Sequence, residues 1–127
     1  MEHAEYEMGR RYFLGDGVAA DERAAAEWYR KAAQRGHTGA HRALGRMYAC
    51  GAGVERDYAA ATAMLLTAAE RGDAGAQCAL AEVLYHATRD PSARGAAVRW
   101  YERAAAGGNA EAAGALAQLA QLNRSRL

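Results

Sequence analysis

Stepping along the chain in strides of 36 residues returns the same kind of side chain at column after column, without a gap. Ala4, Ala40, Ala76 and Ala112 align, and so do Met8, Leu44, Leu80 and Leu116. Gly9 and Gly45 share a column with Ala81 and Ala117, and Tyr29 shares one with Leu65 and Tyr101. Ala32, Ala68 and Ala104 are followed four residues later by Gly36, Gly72 and Gly108. A period of this length marks a stack of supersecondary units, none of which can bury its apolar face alone. The chain therefore reads as one domain, 1–127, made of repeats 4–39, 40–75 and 76–111 plus a terminal half repeat with a helix over 112–123.

Each unit reads as two antiparallel helices. Alanine supplies 35 of the 127 residues, isoleucine is absent, and valine and threonine number four each. Alanine loses no side-chain entropy in a helix, whereas a sheet needs the β-branched residues that are missing here. The fold class is all-α. Gly15 and Gly51 stop the first helices, and Asp21 and Asp57 are favoured N-caps for the second. A turn column of His37, Asp73 and Asn109 precedes the next first helix, and its last two members are favoured caps. Repeat three departs from this plan. Gly-x-Gly-Val gives way to Ala87-Thr88-Arg89-Asp90, followed by Pro91-Ser92. Asp90 as N-cap with proline in the first turn predicts a second helix that starts about a turn early, near Pro91. The altered stretch is either a partner-specific loop or drift in a solvent-facing loop.

Tyr12 to Gly36 reads YFLGDGVAADERAAAEWYRKAAQRG, and repeat two keeps its first half as Tyr-x-x-Gly-x-Gly-Val-x-x-Asp over Tyr48–Asp57. Repeat three keeps the second half as WYERAAAGG over Trp100–Gly108. This pattern resembles the Sel1-like repeat, a relative of the tetratricopeptide repeat, over essentially the whole chain. The resemblance implies a right-handed α/α superhelix whose first helices line a concave face. It also implies a non-catalytic adaptor, most often bacterial, that holds a partner protein.

Several function classes are disfavoured by the residues themselves. Sixteen basic and fifteen acidic residues give a net charge of +1, unlike a general nucleic-acid binder. An RNA-binding helical array is the alternative to a protein-binding one. No apolar run has the length of a signal peptide or a bilayer span, so a cytoplasmic protein is expected. The only serines, Ser92 and Ser125, lie in no nucleophile motif, and no catalytic residue is assigned. A β-lactamase-like activity, described for some members of the resembled family, finds no matching residues. His37 and His41 have metal-binding spacing, but the first lies in the turn column, so no metal or other cofactor is expected. Cys50 and Cys78 fall about 12 Å apart along parallel helix axes, too far for a disulfide.

Three variable columns share one face of the first helices: Tyr6, Arg42 and Cys78; Arg10, Arg46, Glu82 and Gln118; Phe13, Ala49, Tyr85 and Gln121. Their offsets of four and three residues place them side by side. The predicted partner surface is Tyr6, Arg10, Phe13, Arg42, Arg46, Glu82 and Tyr85, rich in the arginines and aromatics that dominate binding hot spots. Paired arginines suit a carboxylate-bearing protein or peptide. The other reading of these columns is a solvated helix face. The chain is expected to be a monomer or to self-associate weakly.

Overall fold

The computed structural model describes residues 2–87 and 90–125. It contains seven helices and, among the described residues, no strand: α1 (Glu2–Leu14), α2 (Glu22–Gln34), α3 (Thr38–Cys50), α4 (Tyr58–Glu70), α5 (Ala74–His86), α6 (Pro91–Ala106) and α7 (Ala110–Ser125). Each helix packs on its neighbours in sequence, and α3 also touches α5. The architecture is an all-α repeat solenoid. The terminal helix runs two residues beyond each end of the expected 112–123.

Local sequence sets each boundary. Asp21 and Asp57 accept from the backbone N–H of Ala24 and Ala60, both at 3.1 Å. Asp73 and Asn109 do the same for Ala76 and Ala112, both at 2.9 Å. Each second helix of the first two repeats closes through a glycine with φ near +90°, Gly36 and Gly72, where a Cβ would be strained. The residue after that glycine donates back to Ala32 or Ala68. In repeats one and two the linker folds onto the first helix, because Asp21 and Asp57 N–H groups donate to the carbonyls of Tyr12 and Tyr48. Repeat three lacks the Gly-x-Gly-Val sequence, and α6 starts at Pro91 with Asp90 accepting from Ser92 N–H at 3.0 Å. It therefore runs 16 residues where α2 and α4 run 13. Thr88 and Arg89 lie outside the described residues, as does Leu127.

The interior consists of three small layers rather than one centre. Ala25, Ala61 and Ala97 are fully buried, as are Ala32, Ala68 and Ala104. The larger filling comes from Tyr29, Leu65 and Tyr101. Trp28 and Trp100, their neighbours in sequence, are only half-buried and lie beneath the cations of Lys31 and Arg103 at 4.6 and 4.5 Å from the ring centroids. Adjacent residues point about 100° apart on a helix, so the tyrosine of each pair is the one fully inside, while Trp100 packs against the second and third layers from their edge. The glycine column explains how close the paired helices come. A Cβ on Gly9 would lie 2.6 Å from the Tyr29 ring, and one on Gly45 would lie 2.7 Å from Leu65 Cγ. Gln77 is a buried polar side chain, and its amide donates to the Ala69 carbonyl at 3.1 Å.

Candidate functional site

The first helices α1, α3, α5 and α7 carry the predicted columns, and the structure separates them into two rows with different surroundings. The row of Tyr6, Arg42 and Cys78 turns toward the start of the next first helix. Tyr6 stacks on His37 with centroids 4.4 Å apart. Arg42 pairs with Asp73 at 2.7 Å and donates to the Tyr6 hydroxyl at 3.4 Å. His37 and Asp73 are the N-caps of α3 and α5, so each contact locks one repeat onto the cap of the next. Residues 33 further on supply the room. A Cβ on Gly39 would come within 3.3 Å of the Tyr6 ring, and one on Gly75 within 3.1 Å of Arg42 Cδ. In the last joint the sizes reverse, with small Cys78 beside Glu111.

Both side chains of the first two joints are half-buried, so their variation is matched by variation in the helix opposite. His37 caps α3 through Nδ1, which accepts from Ala40 N–H at 3.0 Å. Histidine is an unusual cap, and the sequence marked only Asp73 and Asn109 in that column as favoured. Burial, and then the nearby His3, lower the His37 pKa below 6.5. The neutral ring is the form whose nitrogen can accept. His41 Nδ1 lies 3.1 Å from the His37 carbonyl, which ties it into the same turn.

The second row, Arg10, Arg46 and Glu82, is exposed along a groove. A cleft of about 450 Å³ opens between α1 and α3. Its floor includes Tyr29, Ala43 and Met47, and its walls carry Arg10, Arg46 and Phe13. Phe13 is 43% exposed and Leu14 beside it 65%, which leaves an apolar lip at the cleft mouth. Arg10 reaches Glu7 at 3.3 Å, an exposed pair worth little. Arg46 forms no ion pair with another described residue. The Tyr29 phenol is pushed up to about 12 by burial, then by Tyr6, and stays neutral at the cleft floor.

A second cleft of about 280 Å³ lies between α3 and α5, with Leu65, Ala79 and Val83 as its apolar lining. Arg46 and Cys50 wall both clefts, so the two are adjoining parts of one groove. Glu82 and Glu111 line the far side. Cys78 Sγ, a Glu82 oxygen and a Glu111 oxygen all lie within 4.8 Å of one another, a three-donor group that spacing along the sequence did not reveal. Burial, and then Glu82, push the Cys78 thiol up to about 11. Burial, and then Glu82, likewise push the Tyr101 phenol up to about 12. Cys50 and Cys78 are free thiols, one exposed and one buried.

The structure thus gathers Tyr6, Arg10, Phe13, Arg42 and Arg46 around one cleft and puts Glu82 on the next. Tyr85 is set apart. It lines a separate cleft with Leu119 and Leu122 near the end of the solenoid, where Arg94 lies over its ring at 5.3 Å.

The Sel1 repeat family model matches residues 2–37, 38–73 and 74–109. The chain belongs to the Sel1 repeat family. These boundaries open each unit two residues before those chosen from the alanine columns. A Sel1 repeat protein from Oxalobacter formigenes superposes with a TM-score of 0.86 at 29% identity, over 97% of this chain and 50% of that one. A protective antigen of uropathogenic Escherichia coli strains, displaying an SLR fold, superposes with a TM-score of 0.79 at 37% identity. That match covers 87% of this chain and 24% of the antigen. The chain therefore spans about half of the first structure and about a quarter of the second. No curated protein sequence matches it. Sel1 repeat proteins generally serve as protein-interaction scaffolds. No described helix is long and apolar enough to cross a membrane.

Proposed function

We propose that this Sel1 repeat protein is a non-catalytic scaffold that holds an acidic segment of a partner protein in the cleft between α1 and α3. The observation that carries this role is the pairing of an exposed apolar lip, Phe13 and Leu14, with the guanidinium of Arg46 above an apolar floor. An aromatic or aliphatic side chain would fill the floor while a flanking carboxylate meets the guanidinium, a charge-assisted contact. Arg42 contributes through the joint, because its charge is already matched by Asp73. The free thiols suit a reducing compartment such as the cytoplasm.

The test is selection from a random dodecapeptide library on the wild-type protein and on an Arg10→Glu/Arg46→Glu variant. Both positions are exposed, so helicity by circular dichroism should be unchanged. The wild type should enrich peptides with Asp or Glu beside an aromatic or large aliphatic residue, and the variant should not. Equal enrichment by both proteins would refute the assignment of the groove.

A further inference from the structure

The groove changes sign along its length, and the change falls at a shared wall. On the α1 side of Arg46 the exposed charges are guanidinium groups; on the α5 side they are the carboxylates of Glu82 and Glu111. These two acids come from different helices, α5 and α7, and converge on the buried Cys78. Neither forms an ion pair with another described residue. The thiol between them holds its proton and donates toward Glu82 at 3.6 Å, so it adds no charge of its own. Two carboxylates beside the apolar side chains of Leu65 and Val83 repel one another more strongly than they would in open water. A cation seated between them relieves that repulsion.

We propose that the groove recognises a charge-segregated protein segment, with an acidic-apolar anchor in the α1–α3 cleft and a lysine or arginine in the α3–α5 cleft between Glu82 and Glu111. This presupposes the scaffold role proposed above and adds the chemistry and order of the partner. The two clefts lie one first-helix spacing apart, on the order of 10 Å. An extended chain advances about 3.3–3.6 Å per residue, so the basic residue falls about three positions from the anchor. A segment with the same composition but mixed charges would set like charges against each other at one cleft or both, which gives the groove selectivity as well as affinity.

The experiment is library selection in buffer containing EDTA, which keeps metal ions off the Cys78, Glu82 and Glu111 donors. It uses the wild type, a Glu82→Lys/Glu111→Lys variant and a Glu82→Gln/Glu111→Gln variant, each checked for wild-type helicity. The wild type should enrich a basic residue about three positions from the acidic-apolar anchor. The glutamine variant should keep the anchor and lose that preference, and the lysine variant should replace it with Asp or Glu. A peptide selected on the wild type should bind the lysine variant at least about tenfold more weakly by fluorescence anisotropy. Changing its basic residue to Glu should restore that loss. An enriched anchor with no basic preference, or a preference unchanged in both variants, overturns the charge-segregated segment and leaves the scaffold role standing. Failure of the wild type to enrich any anchor overturns both.

Discussion

The joint between repeats one and two and the joint between repeats two and three occupy the same columns, yet they are made from different chemistry. In the first, Tyr6 stacks on a histidine cap over Gly39. In the second, Arg42 forms an ion pair with an aspartate cap over Gly75. What the two share is geometry: a long side chain lying on the N-cap of the next first helix, with a glycine making room. The solenoid fixes the position of the contact, while the pair of residues is free to change together. A column that varies between repeats can therefore be structural, provided the residue opposite varies with it.

The largest effect should come from breaking the ionic joint. Asp73→Ala removes the α5 cap and strands the Arg42 charge, and should cost about 2–3 kcal/mol in urea unfolding. His37→Ala loses a cap and a stacked ring, and should cost about 1–2 kcal/mol in the same measurement. The exchange itself can be tested by double-mutant cycle. Tyr6→Arg with His37→Asp would rebuild the second joint in the place of the first. The double variant should lie within about 1 kcal/mol of wild type, while the two single changes should together cost clearly more. Strict additivity of the singles would show that the columns are not coupled.

The smallest effect distinguishes the joints by pH. The folded protein holds the His37 pKa below 6.5, so the unfolded chain takes up that proton first. The contribution is absent well above the ordinary histidine value and appears as a loss of stability as pH falls through it. Protonation of Nδ1 also removes the acceptor for Ala40 N–H. His37→Asn keeps a capping oxygen, as Asn109 does for α7, and should flatten the decline in stability measured from about pH 7 to pH 5. An unchanged slope would mean that another group governs it.

The helices, their order and the early start of α6 were legible because alanine, glycine and capping residues act locally. The column of Gly9 and Gly45 was legible as one that stays small, glycine or alanine, in every unit, while the rings and side chains it faces came only from the structure. The roles of Tyr6 and Arg42 in the joints were not. Periodicity shows which residues share a helix face, but not how the next repeat is tilted against that face. It could not reveal that Tyr6 and Arg42 lie on the caps of the next helices, or that Glu111 reaches Cys78 across a helix boundary. Nor could it separate Trp28 from Tyr29, two large neighbours of which only the tyrosine enters the core. The offsets of 31 residues from each joint residue to the cap it lies on, and of 33 to the glycine that makes room for it, are visible only once the repeats are stacked.

Two rows on the same helices thus have different surroundings. The half-buried row of Tyr6 and Arg42 joins the repeats, and the row of Arg10 and Arg46 is exposed, which is why the proposed function gives it the partner. The most direct test is a fluorescence-anisotropy titration of a wild-type-selected acidic peptide against Arg46→Glu, with the Tm of each protein recorded alongside. The peptide should bind the variant at least about tenfold more weakly while Tm stays within about 2 °C of wild type. Undiminished binding by a folded Arg46→Glu protein would contradict the division of labour between the two rows.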